Sequence, residues 1–131
     1  MALRFEFDSV NKILLGRLDG RLTDELLLES YEVARRYAVA TDASAGIWDT
    51  SAVTEFAVSS AFIRSLARRE PIISDPLRPR IVVASKAHAF GLFRMFQITA
   101  DRTRPLLTVV HTLDEAFALL GIRSPHFEPL E

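Results

Sequence analysis

The sequence predicts one α/β domain, because an opening pair of strand-like segments is followed by a strict alternation of strand and helix. Two further observations support this fold class. The strand-like runs after the opening pair are short and apolar, as in strands buried on both faces of a parallel sheet. The segments between them carry apolar residues at helical spacing. We therefore expect a mixed, mostly parallel five-stranded sheet in the order β-β-α-β-α-β-α-β-α, with only the first strand antiparallel.

Five segments are predicted to be strands. Residues 3–8 alternate polar and apolar side chains with a period of two, which is typical of a strand with one buried face. The second strand follows after a short turn and is predicted to be antiparallel to the first. The fourth is rich in β-branched residues and is the clearest of the five. The predicted strands cover residues 3–8, 12–19, 45–49, 80–84 and 106–110.

Four helices are predicted to connect these strands. Thr23 is a favourable N-cap for the first helix, and Asp24 and Glu25 in its first turn suit the helix dipole. Thr112 and Glu115 form a capping box that begins the last helix. The helices are expected over about residues 24–40, 59–69, 86–99 and 112–120, and Phe56 is assigned to the second helix by its spacing.

Two segments are predicted to lack regular structure. Pro71, Pro76 and Pro79 interrupt the region between the second helix and the fourth strand, which is therefore expected to be a loop. Residues 123–131 contain two further prolines and are expected to be a C-terminal tail. The predicted domain thus covers residues 1–122.

Composition excludes several classes of protein. Of the 131 residues, 49% are hydrophobic and 25% are charged, which is the balance of a water-soluble protein. The absence of cysteine excludes disulfides and thiolate metal sites. The three histidines lack metal-ligand spacing, so we expect neither a metal nor another cofactor. Neither a signal peptide nor a transmembrane segment is predicted, which favours a cytoplasmic protein.

Charge is unevenly distributed along the chain. Residues 62–104 carry nine basic and three acidic side chains, although the whole chain has a net charge of −1. The arginines are scattered among apolar residues, without the dense basic stripe of a nucleic-acid-binding protein. We expect most of them to form a solvated face, with an anionic ligand or an acidic partner as the alternative.

The second helix is predicted to begin at a serine pair, Ser59 and Ser60, between Val58 and Ala61. This pair and the element order resemble the SpoIIAA-like fold of STAS domains, the anti-sigma-factor antagonists. Through segments 80–84, 89–96 and 114–120, the second half resembles a bacterial SpoIIAA-like branch that is related in fold to CRAL-TRIO lipid-binding domains.

STAS domains carry Asp-Ser-Ser-Gly at this helix start, and a partner kinase phosphorylates one of the serines. In this chain Val58 stands at the Asp position and Ala61 at the Gly position. The resemblance implies a non-enzymatic regulatory module that binds a protein partner through Ser59 and Ser60, with a phosphate as the switch. The candidate partner site also includes residues at the end of the third strand, namely Asp49, Thr50 and Ser51.

Polar side chains follow several predicted parallel strands, whose carboxyl ends meet at one edge of the sheet. Such a rim can hold a polar ligand, although strand ends also collect ordinary turn residues. A hydrolytic enzyme that uses Asp49, His111 and Ser51 is a minor alternative, and no residue is assigned as catalytic. The remaining rim residues are Asp19, Arg21, Ser85, Lys86 and His111.

The third helix is apolar around most of its circumference, which indicates deep burial or a contact beyond its own sheet. Besides core packing, we consider a homodimer contact through this helix and a pocket for a small apolar or lipid-like ligand. The pocket would lie between the helix and the proline-rich loop. Its candidate residues are Phe90, Phe93, Arg94, Phe96, Ile72 and Ile73.

Overall fold

Four helices and six strands make up the protein in a computed structural model that describes residues 3–130. The strands are β1 (Leu3–Asp8), β2 (Ile13–Thr23), β3 (Ala45–Ala57), β4 (Arg80–Val83), β5 (Leu107–Val110) and β6 (Glu128–Leu130). The helices are α1 (Asp24–Thr41), α2 (Ser60–Ala67), α3 (Ala87–Thr99) and α4 (Leu113–Leu120). The predicted α/β class and the order of the first nine elements are confirmed.

The strands form one mixed sheet in the order β5-β4-β3-β2-β1-β6. β2, β3, β4 and β5 run parallel, whereas β1 is antiparallel to both of its neighbours. The predicted count of five strands is wrong, because residues 128–130 of the expected tail pair with β1. Two contacts hold this segment: Phe127 stacks on Phe117 with 5.9 Å between ring centroids, and the Asp8 carboxylate accepts a hydrogen bond from His126 N.

Helices cover both faces of the sheet. On one face α1, α2 and α3 bury Leu27, Ile63 and Phe93 against sheet residues such as Leu18 and Val82. On the other face α4 places Ala116 against a separate apolar cluster from β2, β3, β4 and β5. Alternate residues of the central strands therefore enter different cores, which explains why these strands are continuously apolar.

β2 and β3 are longer than the sequence predicts. The expected strands end at residues 19 and 49, but the observed pair continues to Thr23 and Ala57, beyond the end of β4, so Phe56 lies in β3 and not in the second helix. The ladder shifts register twice along the way, and Gly20 adopts a φ of +74°. Leu22 and Val53 are fully buried in this extension, so packing beneath the helices stabilises it.

Gly16 in β2 is required by a close approach of the Phe5 ring. A Cβ atom at this position would lie 2.9 Å from Phe5 Cε1, and Phe5 is itself held between Tyr37 and Trp48. Gly16→Ala is therefore expected to lower the free energy of unfolding by about 2 kcal/mol through overpacking. Urea denaturation measures this change.

Gly91 provides the matched control, because a Cβ atom there meets nothing within 4 Å. This glycine lies inside α3, so Gly91→Ala is expected to raise the free energy of unfolding by about 0.5–1 kcal/mol through helix propensity. Equal responses of the two variants would contradict the steric argument for Gly16.

Candidate functional site

The start of α2 is built around Ser59, which is the N-cap of the helix. Its Oγ accepts a hydrogen bond from Phe62 N at 3.1 Å, so one of the free amide groups of the first turn is satisfied. Ser60 is the first residue of the helix, and both serines are exposed. The serine pair therefore lies on the surface at a helix N-terminus, as predicted.

A carboxylate from another helix completes this helix start. Ser59 N donates to Asp24 Oδ1 at 3.0 Å, and Ser59 Oγ donates to Asp24 Oδ2 at 3.2 Å. Asp24 is the first residue of α1, and the long β2–β3 ladder brings the two helix starts together by pairing Thr23 with Ala57. A carboxylate thus lies beside the serine pair although Val58 occupies the acidic position of the resembling motif.

The sequence predicts only a favourable interaction of Asp24 with the dipole of its own helix. It does not predict the hydrogen bonds between Asp24 and Ser59. The two partners are 35 residues apart in the chain. The signal that could have revealed their contact is the extension of β2 and β3. It is hidden because the two register shifts interrupt the alternation of polar and apolar side chains along these strands.

Ser60 differs from Ser59 in its surroundings. Among the described residues its hydroxyl makes no hydrogen bond, whereas the Ser59 hydroxyl makes two. Arg64 lies one helical turn further along α2 and is exposed, with its Nη1 3.8 Å from the sulfur of Met95. The exposed Ser60 hydroxyl therefore lies at the positive end of the α2 dipole. The Arg64 guanidinium lies one turn along the same face of the helix.

These differences predict unequal effects of removing the two hydroxyls. Ser59→Ala is expected to lower the free energy of unfolding by about 1 kcal/mol, because the cap of α2 is lost. Ser60→Ala is expected to change it by less than about 0.5 kcal/mol. Thermal or urea unfolding of the two variants measures both values, and a larger loss for Ser60→Ala would contradict the assignment of the cap.

The triplet Asp49-Thr50-Ser51 does not lie at the end of β3, which corrects the expectation from sequence. Asp49 pairs with Val83, and β3 continues for eight residues beyond it. At about 3.3 Å per residue, Asp49 is roughly 25 Å along the strand from the end at Ala57. The structure therefore does not bring this triplet to the start of α2.

Each member of the triplet has a local partner. The Asp49 carboxylate accepts hydrogen bonds from Ser51 N at 3.0 Å and from Ser51 Oγ at 2.5 Å, and Arg17 lies 3.5 Å away. Thr50 Oγ1 donates to the carbonyl oxygen of Val83 at 2.7 Å. These bonds tie β3 to its neighbours and to its own backbone.

Only part of the predicted rim follows strand ends. Asp19 and Arg21 lie within β2 rather than at its end, and Arg21 forms an exposed ion pair with Glu55 at 3.0 Å. Ser85 and Lys86 follow β4, and Lys86 Nζ donates to the carbonyl oxygen of Val53 at 2.8 Å.

His111 follows β5 and stacks on Phe90, with 4.2 Å between ring centroids. Because Ser51 bonds directly to Asp49, and His111 bonds to neither in the part of the chain that the structure describes, these three residues form no Ser-His-Asp relay.

The apolar candidates divide between the core and the surface of α3. Phe93 and Phe96 are buried and, with Ile72 and Ile73 of the loop, line a partly open cavity of about 70 Å³. Phe90 is half-buried beside His111. Arg94 is exposed and donates to Gln97 Oε1 at 2.8 Å. The pocket predicted between α3 and the loop thus has a counterpart, but it is well below the roughly 300 Å³ of a drug-sized site.

The described residues 3–130 lack both a metal-binding cluster and a membrane-spanning helix. They contain no cluster of three or more His, Cys, Asp or Glu side chains that could hold a metal ion. None of their helices is long and apolar enough to cross a membrane.

The protein is therefore an α/β domain with an exposed serine pair at the start of α2. The start of α1 lies beside this pair. No model of a protein family and no curated protein matches the sequence. Among solved structures, the chain is similar to the anti-sigma factor antagonist SpoIIAA in its unphosphorylated form, with 13% identity and a TM-score of 0.61. The match covers 94% of this chain and 100% of that one. The protein therefore has the SpoIIAA-like fold, as the sequence predicted.

Proposed function

We propose that this protein is a non-enzymatic regulatory module of STAS type, which binds a protein partner through the start of α2 and is switched by phosphorylation of Ser60. The observation that carries the proposal is the exposed, unbonded Ser60 hydroxyl beside the Asp24–Ser59 contact. The fold supports it, because the similar protein SpoIIAA is an anti-sigma factor antagonist described in its unphosphorylated form. As in the prediction from sequence, we place the module in the bacterial cytoplasm.

Ser60 is the better phosphate acceptor of the pair. The Ser59 hydroxyl is occupied by the cap and by Asp24, so its modification would first break both contacts. A phosphate on Ser60 would lie at the N-terminus of α2, where the helix dipole favours negative charge. It would also lie four residues before Arg64, the spacing at which opposite charges pair on a helix.

Phosphorylation would change the charge of the surface that the partner contacts. The exposed side of α2 carries Arg64, and Arg68 and Arg69 follow at the other end of the helix, so the surface along α2 is basic. A phosphoserine adds about −1.5 to −2 charges at neutral pH. It would neutralise most of this basic surface and add repulsion beside the Asp24 carboxylate, so an acidic partner would dissociate.

Intact-mass spectrometry of the protein purified from the organism that makes it tests the switch. We expect a fraction with an added mass of roughly 80 Da, which phosphopeptide mapping assigns to Ser60. The adduct should be absent from Ser60→Ala and present in Ser59→Ala. An adduct that persists in Ser60→Ala, or an unmodified mass under every growth condition, would refute the proposed switch.

The alternative functions rest on fewer observations. A lipid carrier needs more volume than the cavity of about 70 Å³ provides. A hydrolase would need Asp49 and His111 to act together, and they have separate partners.

A homodimer through α3 remains a prediction. Because Phe93 and Phe96 are buried in the core of the protomer, the contact would have to cover Ile98, which is 70% exposed. Sedimentation of the wild type and of Ile98→Lys checks this prediction.

A further inference from the structure

A partly open cavity between the sheet and helices α1 and α3 contains an unusual combination of groups. Its volume is about 70 Å³, and most of its wall is apolar, including Phe5, Trp48 and Phe93. Two arginines, Arg80 and Arg104, also line it. Both are buried, with 8% and 3% of their surface exposed. The wall of a small apolar cavity thus carries two positive charges.

Arg80 is incompletely bonded. Its Nη2 donates to the carbonyl oxygen of Asp75 at 2.6 Å, but Nε and Nη1 are buried without any hydrogen-bond acceptor in the described chain. Burial and the nearby charge of Arg104 lower the pKa of Arg80, although the charge of Asp75 opposes this shift, and an arginine side chain keeps its proton in proteins. Unpaired buried donors on a charged group are costly, so an acceptor is expected to complete this site.

The protein itself provides no counter-ion inside the cavity. Arg104 donates to neutral oxygens: Tyr31 Oη at 2.7 Å and the carbonyl oxygens of Ala67 and Arg69 at 3.0 and 3.1 Å. Burial raises the pKa of Tyr31 above its ordinary value of 10.0, although Arg104 opposes this shift, so the phenol stays uncharged at neutral pH. No acidic side chain is present in the described wall of the cavity. Two positive charges therefore share a buried space whose described wall holds no negative one, and Asp75, which acts on Arg80, lies outside that wall.

We propose that this cavity binds a small organic carboxylate, whose oxygens accept hydrogen bonds from the unpaired donors of Arg80 and whose short apolar part contacts the aromatic wall. Carboxylates form strong charge-assisted bonds with guanidinium groups. A cavity of about 70 Å³ has room for several water molecules, which matches a short-chain acid. The site is separate from the start of α2, so it goes beyond the proposed phosphorylation switch.

Titration of the wild-type protein tests the proposal without any variant. Trp48 is the single tryptophan and lines the cavity, so its fluorescence reports occupancy directly. Acetate, propionate and butyrate should change this fluorescence with saturation. At about ten times its dissociation constant, the best of these acids should raise the melting temperature by about 5 °C.

The controls are the amides of the same three acids, and sodium chloride at the same ionic strength as the acids. The amides share the shape of the acids without the charge, and chloride carries charge without the apolar part. Neither control should produce more than a small fraction of the fluorescence change or of the rise in melting temperature. If chloride or the amides act as strongly as the acids, or if no acid acts, the proposal is wrong.

Two variants locate the site. Arg80→Met should abolish the fluorescence response and the thermal shift. Arg102→Met removes the same charge from an exposed position and should retain both. A full response in Arg80→Met would overturn the proposal, and the wild-type titration decides the question if this variant does not fold.

Discussion

Arg104→Met is expected to lower the free energy of unfolding by about 3 kcal/mol, although it replaces a buried charge with an apolar side chain. The buried guanidinium joins separate parts of the chain. Its nitrogens donate to the carbonyl oxygens of Ala67 and Arg69 at the end of α2, and to Tyr31 Oη of α1. It also lies over the Phe96 ring, with Cζ 5.2 Å from the centroid.

The cost arises from the groups that remain after the substitution. Methionine fills part of the volume but donates no hydrogen bond, so the carbonyl oxygens of Ala67 and Arg69 lose their charged partner. A buried acceptor left without a donor costs about 1–3 kcal/mol. Because α2 carries the serine pair near its other end, loss of this anchor should also weaken the helix on which the proposed switch depends.

Urea unfolding at neutral pH measures the loss, and Arg80→Met is the matched control. Both substitutions remove a buried guanidinium, but Arg80 makes a single described hydrogen bond and leaves two donors unpaired. Arg80→Met is therefore expected to leave the free energy of unfolding of the ligand-free protein unchanged or to raise it. Equal destabilisation by the two variants would contradict the distinction that we draw between a bonded and an unbonded buried arginine.

For Arg80 and Arg104, the prediction of solvent exposure was wrong. The basic segment of residues 62–104 was expected to form a solvated face, because charged residues are rarely buried without a partner. Exposed positions such as Arg64 and Arg94 agree with this expectation. Arg80 and Arg104 do not, because their partners are backbone carbonyls and a tyrosine hydroxyl that come together only in the folded chain.

Features encoded within a few residues were predictable from the sequence. The capping box of Thr112 and Glu115 is present, and Gly121 ends α4 in the left-handed conformation. Thr23 caps α1 as expected, and its Oγ1 accepts from Leu26 N at 3.1 Å. These signals are local hydrogen bonds with fixed spacing, so no knowledge of tertiary structure is needed to find them.

Features that depend on distant segments were not predictable. The contact between Asp24 and Ser59 requires the long β2–β3 ladder, and the strand at residues 128–130 requires an edge that β1 provides. Short segments with proline carry little strand propensity of their own. Their structure comes from the neighbour with which they pair.

Asp8→Ala is expected to lower the free energy of unfolding by about 3 kcal/mol and to loosen β6. Only 1% of the Asp8 surface is exposed. Its carboxylate accepts from Val10 N and Asn11 N at 3.0 Å, from Asn11 Nδ2 at 2.8 Å and from His126 N at 3.2 Å. One side chain therefore fixes the β1–β2 turn and the segment that leads into β6.

Hydrogen exchange and urea unfolding distinguish these two roles. Exchange at residues 128–130 should accelerate in Asp8→Ala more than exchange in the central strands β3 and β4. Asp8→Asn keeps the shape and one oxygen acceptor, so its loss should be smaller, about 1–2 kcal/mol. If Asp8→Ala unfolds at the same urea concentration as the wild type, the carboxylate does not stabilise the turn.

The same carboxylate predicts the direction of a pH dependence. Burial raises the pKa of Asp8, but the hydrogen bonds from Asn11, His126 and Val10 outweigh it and hold the pKa below its ordinary value of 3.8. Ionised Asp8 therefore stabilises the fold fully at pH values well above 3.8, and this contribution is lost as the pH falls through the folded-state pKa. The stability difference between wild type and Asp8→Asn should shrink between pH 6 and pH 2, because the variant lacks this titration. A difference that stays constant over this interval would show that the bonds to Asp8 do not depend on its charge.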